Sequence, residues 1–141
     1  MRRTEWGPLL AETCRLATEY LENLRAMIME AQRQEAKVIL MTTNPLRWTP
    51  KIKDLYGKPP YHPEEEEGFD SLHLAAYNET LRKLAAELKV PLVDVRAAYP
   101  AWAASRQAKV DALLLDGMHP NDPGHQLVSE LLAPVVLDAV R

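Results

Sequence analysis

Val38-Ile39-Leu40-Met41-Thr42-Thr43-Asn44-Pro45 decides the fold class of this chain. Four apolar residues run without interruption, two of them β-branched, and stop at a polar turn closed by proline. A strand with one wet face would alternate apolar and polar residues, whereas an unbroken run of this length fits a strand buried on both faces of a parallel sheet. Parallel sheets hold their ligand crevice at the carboxyl ends of the strands, so the chain from Thr42 onward is expected to face a site. Asn44, Arg47 and Trp48 follow that end and are candidate substrate contacts; the same residues also fit a helix stop followed by a packed aromatic.

The flanking sequence supplies helices on both sides of this run. Upstream, Leu10, Cys14, Ala17, Leu21, Leu24, Ile28 and Ala31 recur at alternating spacings of three and four, which predicts an amphipathic helix over 8–34 with Pro8 in its first turn. Downstream, prolines at 50, 59, 60 and 63 with glycines at 57 and 68 exclude a long regular element, and the segment 46–69 reads as an ordered excursion. Leu74, Tyr77, Leu81, Leu84 and Leu88 form a second helical stripe, and Val90-Pro91-Leu92-Val93-Asp94-Val95 is a second short strand. Strand, crossover helix and strand make a right-handed βαβ unit, which sets the class as α/β. Residues 97–110 read as a helix interrupted at Pro100. The last helix is expected to be capped by Asp122, with Pro123 in its first turn, Leu127, Val128, Leu131, Val135 and Ala139 on its buried face, and a bend at Pro134.

The chain has 141 residues, enough for one domain that buries a sizeable core. Its net charge is -3 and its Lys and Arg residues are spread along helical faces, so no basic block is present to neutralise a phosphate backbone, and nucleic acid is not an expected partner. Cys14 is the single cysteine, which excludes an intramolecular disulfide; its place on the first helical stripe suits a small buried hydrophobe. No apolar run reaches the roughly 18 to 20 residues of a membrane span, and no signal-peptide pattern follows Met1; a cytoplasmic location is the expectation. The run Glu64-Glu65-Glu66-Glu67 reads as a solvated patch.

Chemistry concentrates in Leu115-Asp116-Gly117-Met118-His119-Pro120-Asn121-Asp122-Pro123-Gly124-His125. An aspartate beside an imidazole fixes its tautomer through one ring nitrogen and stabilises the cation formed when the other nitrogen takes a proton from a nucleophile. The same residues also fit a purely structural turn and helix cap. A further alternative is a metal site, since Asp116, His119, Asp122 and His125 recur every three residues, although Asp122 is wanted as a cap and the four straddle a loop and a helix. His125 falls in the first turn of a helix, where the dipole disfavours positive charge, and suits a structural role. His62 and His73 flank the excursion without acidic partners and read as surface residues.

Asp116-x-x-His119-Pro120, followed by Asn121-Asp122-x-Gly124-His125 and an apolar helix, resembles the last sequence block of the SGNH (GDSL-type) esterases and lipases. The order of helices and strands over residues 9 to 141 is similar to the second half of that family. The resemblance implies a partial flavodoxin-like three-layer fold, a short parallel sheet flanked by helices. It also implies ester hydrolysis through an acyl-enzyme, with Asp116 and His119 as acid and base of a serine triad and with neither metal nor organic cofactor. The substrate it implies is an ester of a small molecule, a lipid or a carbohydrate.

The departures from the family are as definite as the match. Its nucleophile block, its oxyanion glycine and its Gly-x-Asn-Asp block have no counterpart here, so the chain reads as a single domain over 1–141 that lacks the family's N-terminal portion. Gly68-Phe69-Asp70-Ser71-Leu72 echoes the nucleophile block but follows an acidic run instead of a buried strand, so Asp70 or Ser71 is expected to cap a helix. A strand that has lost the neighbour supplied by the family's first half should pair with another chain, which predicts self-association or a complementing N-terminal fragment. The competing function class is a non-catalytic remnant or interaction fragment whose Asp/His loop is only structure.

Overall fold

The structure, a computed structural model, describes residues 6–59, 61, 63 and 74–141. In chain order the elements are α1 (Trp6–Arg33), β1 (Leu40–Met41), α2 (Pro50–Tyr56), α3 (Ala76–Leu88), β2 (Leu92–Val93), α4 (Val95–Ser105), a 3-10 turn (Val110–Leu113) and α5 (Asp122–Ala139). β1 and β2 pair in parallel, Leu40 opposite Leu92 and Met41 opposite Val93. Leu40 N donates to Pro91 O at 2.9 Å and Thr42 N to Val93 O at 3.1 Å.

Successive side chains of a strand point to opposite faces, and here that alternation builds the layers. Val38, Leu40, Val90 and Leu92 pack with Ile28 of α1 and with Leu81, Leu84 and Ala85 of α3. Ile39 and Val93 face the other way, into a cluster with Val95 and Tyr99 of α4, Leu113 and Leu114, and Leu127, Val128, Leu131, Leu132 and Val135 of α5. The result is the α/β three-layer arrangement read from the sequence, with α1 and α3 on one side of the short parallel sheet and α4 and α5 on the other. The α1–α3 layer is further joined by an edge-to-face pair, Tyr20 on Tyr77 at 5.0 Å, and by Arg25 reaching both carboxylate oxygens of Glu87 at 2.7 Å.

Four local expectations need correction. The first strand is shorter than Val38 to Met41 and is not buried throughout, since Met41 at its end remains 46% exposed. The helix expected from Ala97 begins at Val95 under an Asp94 cap and passes through Pro100 without interruption. Pro100 is exposed while Tyr99 and Ala103 beside it are buried, so packing on the inner face carries the helix across the one hydrogen bond that proline removes. The cap of α5 is Asn121, whose side-chain oxygen accepts from Gly124 N at 3.0 Å, and Asp122 is the first helical residue. Within the excursion, Pro50–Tyr56 forms a short helix that starts on a Thr-Pro pair, with Thr49 as its cap. The side chains of Leu10, Cys14 and Ala17, and the residues Asp70, Ser71, His62, His73 and the glutamate run, lie outside what the structure describes.

Both strands end in a polar knot. Thr42, almost fully buried, donates its hydroxyl to Asp94 Oδ1 at 3.0 Å and accepts from Arg96 N at 2.9 Å. Arg82 grips both Asp94 oxygens at 2.8 and 3.0 Å, and buried Asn78 brackets Thr43, accepting from its N–H at 3.0 Å and donating to its hydroxyl at 2.9 Å. These bonds satisfy polar groups that burial would otherwise penalise. Arg82 foremost, then the Ala97 N–H and the Thr42 hydroxyl, hold the Asp94 carboxyl at about 2, below its usual value of 3.8. A depressed carboxyl adds stability above its unfolded value and loses it as pH falls through the folded one. Denaturant titrations from pH 5 downward should show this contribution draining away between the two values, and Asp94→Asn should flatten that part of the acid limb; superimposable acid limbs would contradict it.

Candidate active site

The chemistry-bearing turn is fixed at both ends before any side chain is considered. Leu114 and Pro120 form an antiparallel bridge, Leu115 N donates to His119 O at 2.7 Å, and Asn121 N donates to Leu113 O at 3.0 Å. Asn121 also sends its side-chain N–H to Ala112 O at 2.9 Å, so the cap of α5 ties the helix start back to the 3-10 turn. Gly124 permits this closeness, since a Cβ there would lie 2.3 Å from Leu113 O and 3.0 Å from the hydroxyl of wholly buried Tyr99.

Within the turn, Asp116 accepts at both oxygens. Oδ1 takes the N–H groups of Met118 and His119, each at 2.9 Å, and Oδ2 lies 2.9 Å from His119 Nδ1. An ionised carboxylate only accepts, so Nδ1 carries the proton and Nε2 is left as the basic nitrogen. The His119 N–H first, then the imidazole and the Met118 N–H, hold the Asp116 carboxyl well below the usual carboxylate range. The Asp116 side chain is 19% exposed and that of His119 70%, which makes the acid the buttress and the imidazole the group offered outward.

The segment after β1 comes to this turn. Asn44 Nδ2 donates to Met118 O at 2.8 Å, Arg47 N to Gly117 O at 2.8 Å, and the Thr49 hydroxyl to Asp116 O at 2.7 Å. Arg47 also pairs through Nε with Asp111 Oδ1 at 2.9 Å, and Trp48 is half-buried in the same loop. Asn44, Arg47, Asp116 and His119 are thus brought to one place at the carboxyl end of β1, with Trp48 in the same loop. Thr49 is a member that sequence reasoning missed; its only signal was the Thr-Pro helix start. Asp122 and His125 are exposed on the first turn of α5, and among the described residues no group of three or more His, Cys, Asp or Glu is assembled that could hold a metal ion. Neither described serine meets the imidazole: Ser105 donates to Trp102 O at 2.8 Å at the end of α4, and Ser129 is exposed on α5.

The family model of the GDSL-like lipases and acylhydrolases matches residues 6–127, and the chain belongs to that family. Among solved structures it is similar to a GDSL-like lipase from Parabacteroides merdae, at 23% identity and a TM-score of 0.58 over 82% of this chain and 47% of that one. It is also similar to an acylhydrolase from Bacteroides fragilis, at 26% identity and a TM-score of 0.60 over 89% of this chain and 53% of that one. The chain therefore spans about half the length of both. No curated protein compared with it matches. No helix among the described residues is long and apolar enough to cross a membrane.

Gly117 is the joint on which the turn depends. Its φ is +98°, and a Cβ would sit 2.5 Å from Arg47 O and 2.7 Å from a Thr49 methyl. Gly117→Ala should cost roughly 1–3 kcal/mol for the backbone conformation alone, with a further loss from pushing the Arg47 loop aside. Equilibrium unfolding checks the cost, and an alanine variant as stable as the parent would show that the loop and the turn are not in contact.

Proposed function

We propose that this chain carries the acid–base pair of a GDSL-type ester hydrolase, with Asp116 as the acid and His119 as general base toward a serine hydroxyl supplied by a further segment. The observation that carries this reading is the 2.9 Å contact of Asp116 Oδ2 with His119 Nδ1, on a carboxylate already held by two backbone N–H groups, with the imidazole turned outward. In this arrangement Nε2 takes the serine proton as the oxygen attacks the ester carbonyl, and Asp116 stays ionised and stabilises the imidazolium. The imidazolium then protonates the departing alcohol, and water cleaves the acyl-enzyme with the same base. No metal or organic cofactor has a step in this sequence.

The substrate is an ester of a small molecule, lipid or carbohydrate lying against the loop of Asn44, Arg47 and Trp48. The half-buried Trp48 ring and exposed Leu115 offer it apolar surface near the dyad. The segment bringing the serine would pair along the edge of β1 that does not face β2 in this two-stranded sheet. Sedimentation of the chain alone should show self-association, and addition of a complementing N-terminal fragment should replace it with a defined complex.

The placement of Ser105 and Ser129 away from the imidazole favours a second reading, a non-catalytic interaction fragment. A fluorophosphonate serine probe and a p-nitrophenyl ester separate the two. The chain alone should neither label nor turn over. With the complementing fragment, labelling should appear on that fragment's serine, and His119→Ala should reduce turnover on the order of a thousandfold or more. A complex indifferent to His119→Ala would sink the catalytic reading and leave the interaction fragment.

A further inference from the structure

We infer that Asn44 is a positioning residue for the Asp116–His119 pair, acting by aiming the peptide N–H that grips the carboxylate. The inference rests on the dyad reading above and goes beyond it, since it takes Asn44 from substrate contact to the support of the acid.

The argument is geometric. A trans peptide is planar and its C=O and N–H point in opposite directions, so fixing the carbonyl of one peptide fixes where its N–H points. Three successive carbonyls, those of Asp116, Gly117 and Met118, each accept one hydrogen bond from the loop after β1: from Thr49 Oγ1 at 2.7 Å, Arg47 N at 2.8 Å and Asn44 Nδ2 at 2.8 Å. The Gly117 carbonyl shares its peptide with the Met118 N–H, and the Met118 carbonyl shares its peptide with the His119 N–H. Those are the two N–H groups that meet Asp116 Oδ1 at 2.9 Å. Of the two peptides, the first is held by a backbone donor and the second by the Asn44 side chain.

The orientation of the amide is unambiguous, because both atoms within reach of its nitrogen, Met118 O and Pro45 O, are acceptors. Thr49 works one peptide earlier, on the carbonyl of Asp116 itself, while the same hydroxyl caps α2 by accepting from Ile52 N at 3.3 Å. Asn44 is thus the side chain that holds the carbonyl end of the peptide whose N–H end meets Asp116.

The test reads the dyad directly in the chain as it stands, and so needs neither serine nor turnover. Nitrogen chemical shifts of the His119 ring should report a single Nδ1–H tautomer in the parent above the titration range of the ring. Asn44→Ala should convert it to a mixture and move the Asp116 carboxyl titration upward, toward the ordinary carboxylate range. Thr49→Val should do so to a smaller extent. Should Asn44→Ala fail to fold, Asn44→Leu keeps a similar size, removes the donor without adding charge, and should give the same two changes. An unaltered tautomer and an unaltered Asp116 titration in a folded Asn44 variant would overturn the inference. A changed dyad in a complex that shows no serine labelling would overturn the hydrolase reading alone.

Discussion

Two pairs of residues, Leu40-Met41 beside Leu92-Val93, separate the helical layers and set their spacing. Because the strands are parallel and in this register, both terminate at the same end of the molecule, and their next residues, Thr42 and Asp94, meet there. Among the described residues, the buried polar side chains of Thr42 and Asn78 gather at that end. The opposite faces of the same strands send Leu40 and Leu92 into one core and Ile39 and Val93 into the other. A shift by one residue would exchange the two sets between the cores, so the apolar pattern and the pairing enforce each other.

The knot at the strand ends and the turn at the site are made in the same way, by one side chain that caps a helix and also holds a second partner. Asp94 caps α4 and receives Arg82 of α3; Asn121 caps α5 and holds the 3-10 turn; Thr49 caps α2 and holds the Asp116 peptide. Helix starts have N–H groups without intrahelical partners, and polar side chains recruited to them have further hydrogen-bonding capacity to spend elsewhere. In this chain three of those caps lie within the elements that build the site, which is why local helix initiation and site geometry are hard to separate.

The long periodic stripes were legible in the sequence because they express burial on one face, and α1 and α3 fall where Leu21, Leu24 and Ile28 and Leu81, Leu84 and Leu88 place them. The Asp116–His119 spacing could likewise be read, since residues three apart across an Asp-Gly turn come within reach by local geometry alone. Less legible were features decided by distant partners. Pro100 marks a break by propensity, yet buried Tyr99 and Ala103 hold the helix through it. Asn121 and Asp122 are equally good caps on paper, and Asn121 prevails because its N–H groups also find Leu113 and Ala112. The partnership of Asn44 with Met118 spans 74 positions and has no local signature.

The exposed imidazole stands on a turn whose carbonyls, carboxylate and ends are all engaged within the chain, and this bears on the entropy of assembly. Ordering a backbone residue costs about 1–2 kcal/mol, and for residues 115–121 that cost is met when this chain folds, not when a further segment docks. Under the proposed function, an incoming nucleophile would find its base already oriented and have only its own freedom to lose. The Asp116–His119 contact is a property of the folded chain, so under the proposed function association would add to it without having to create it.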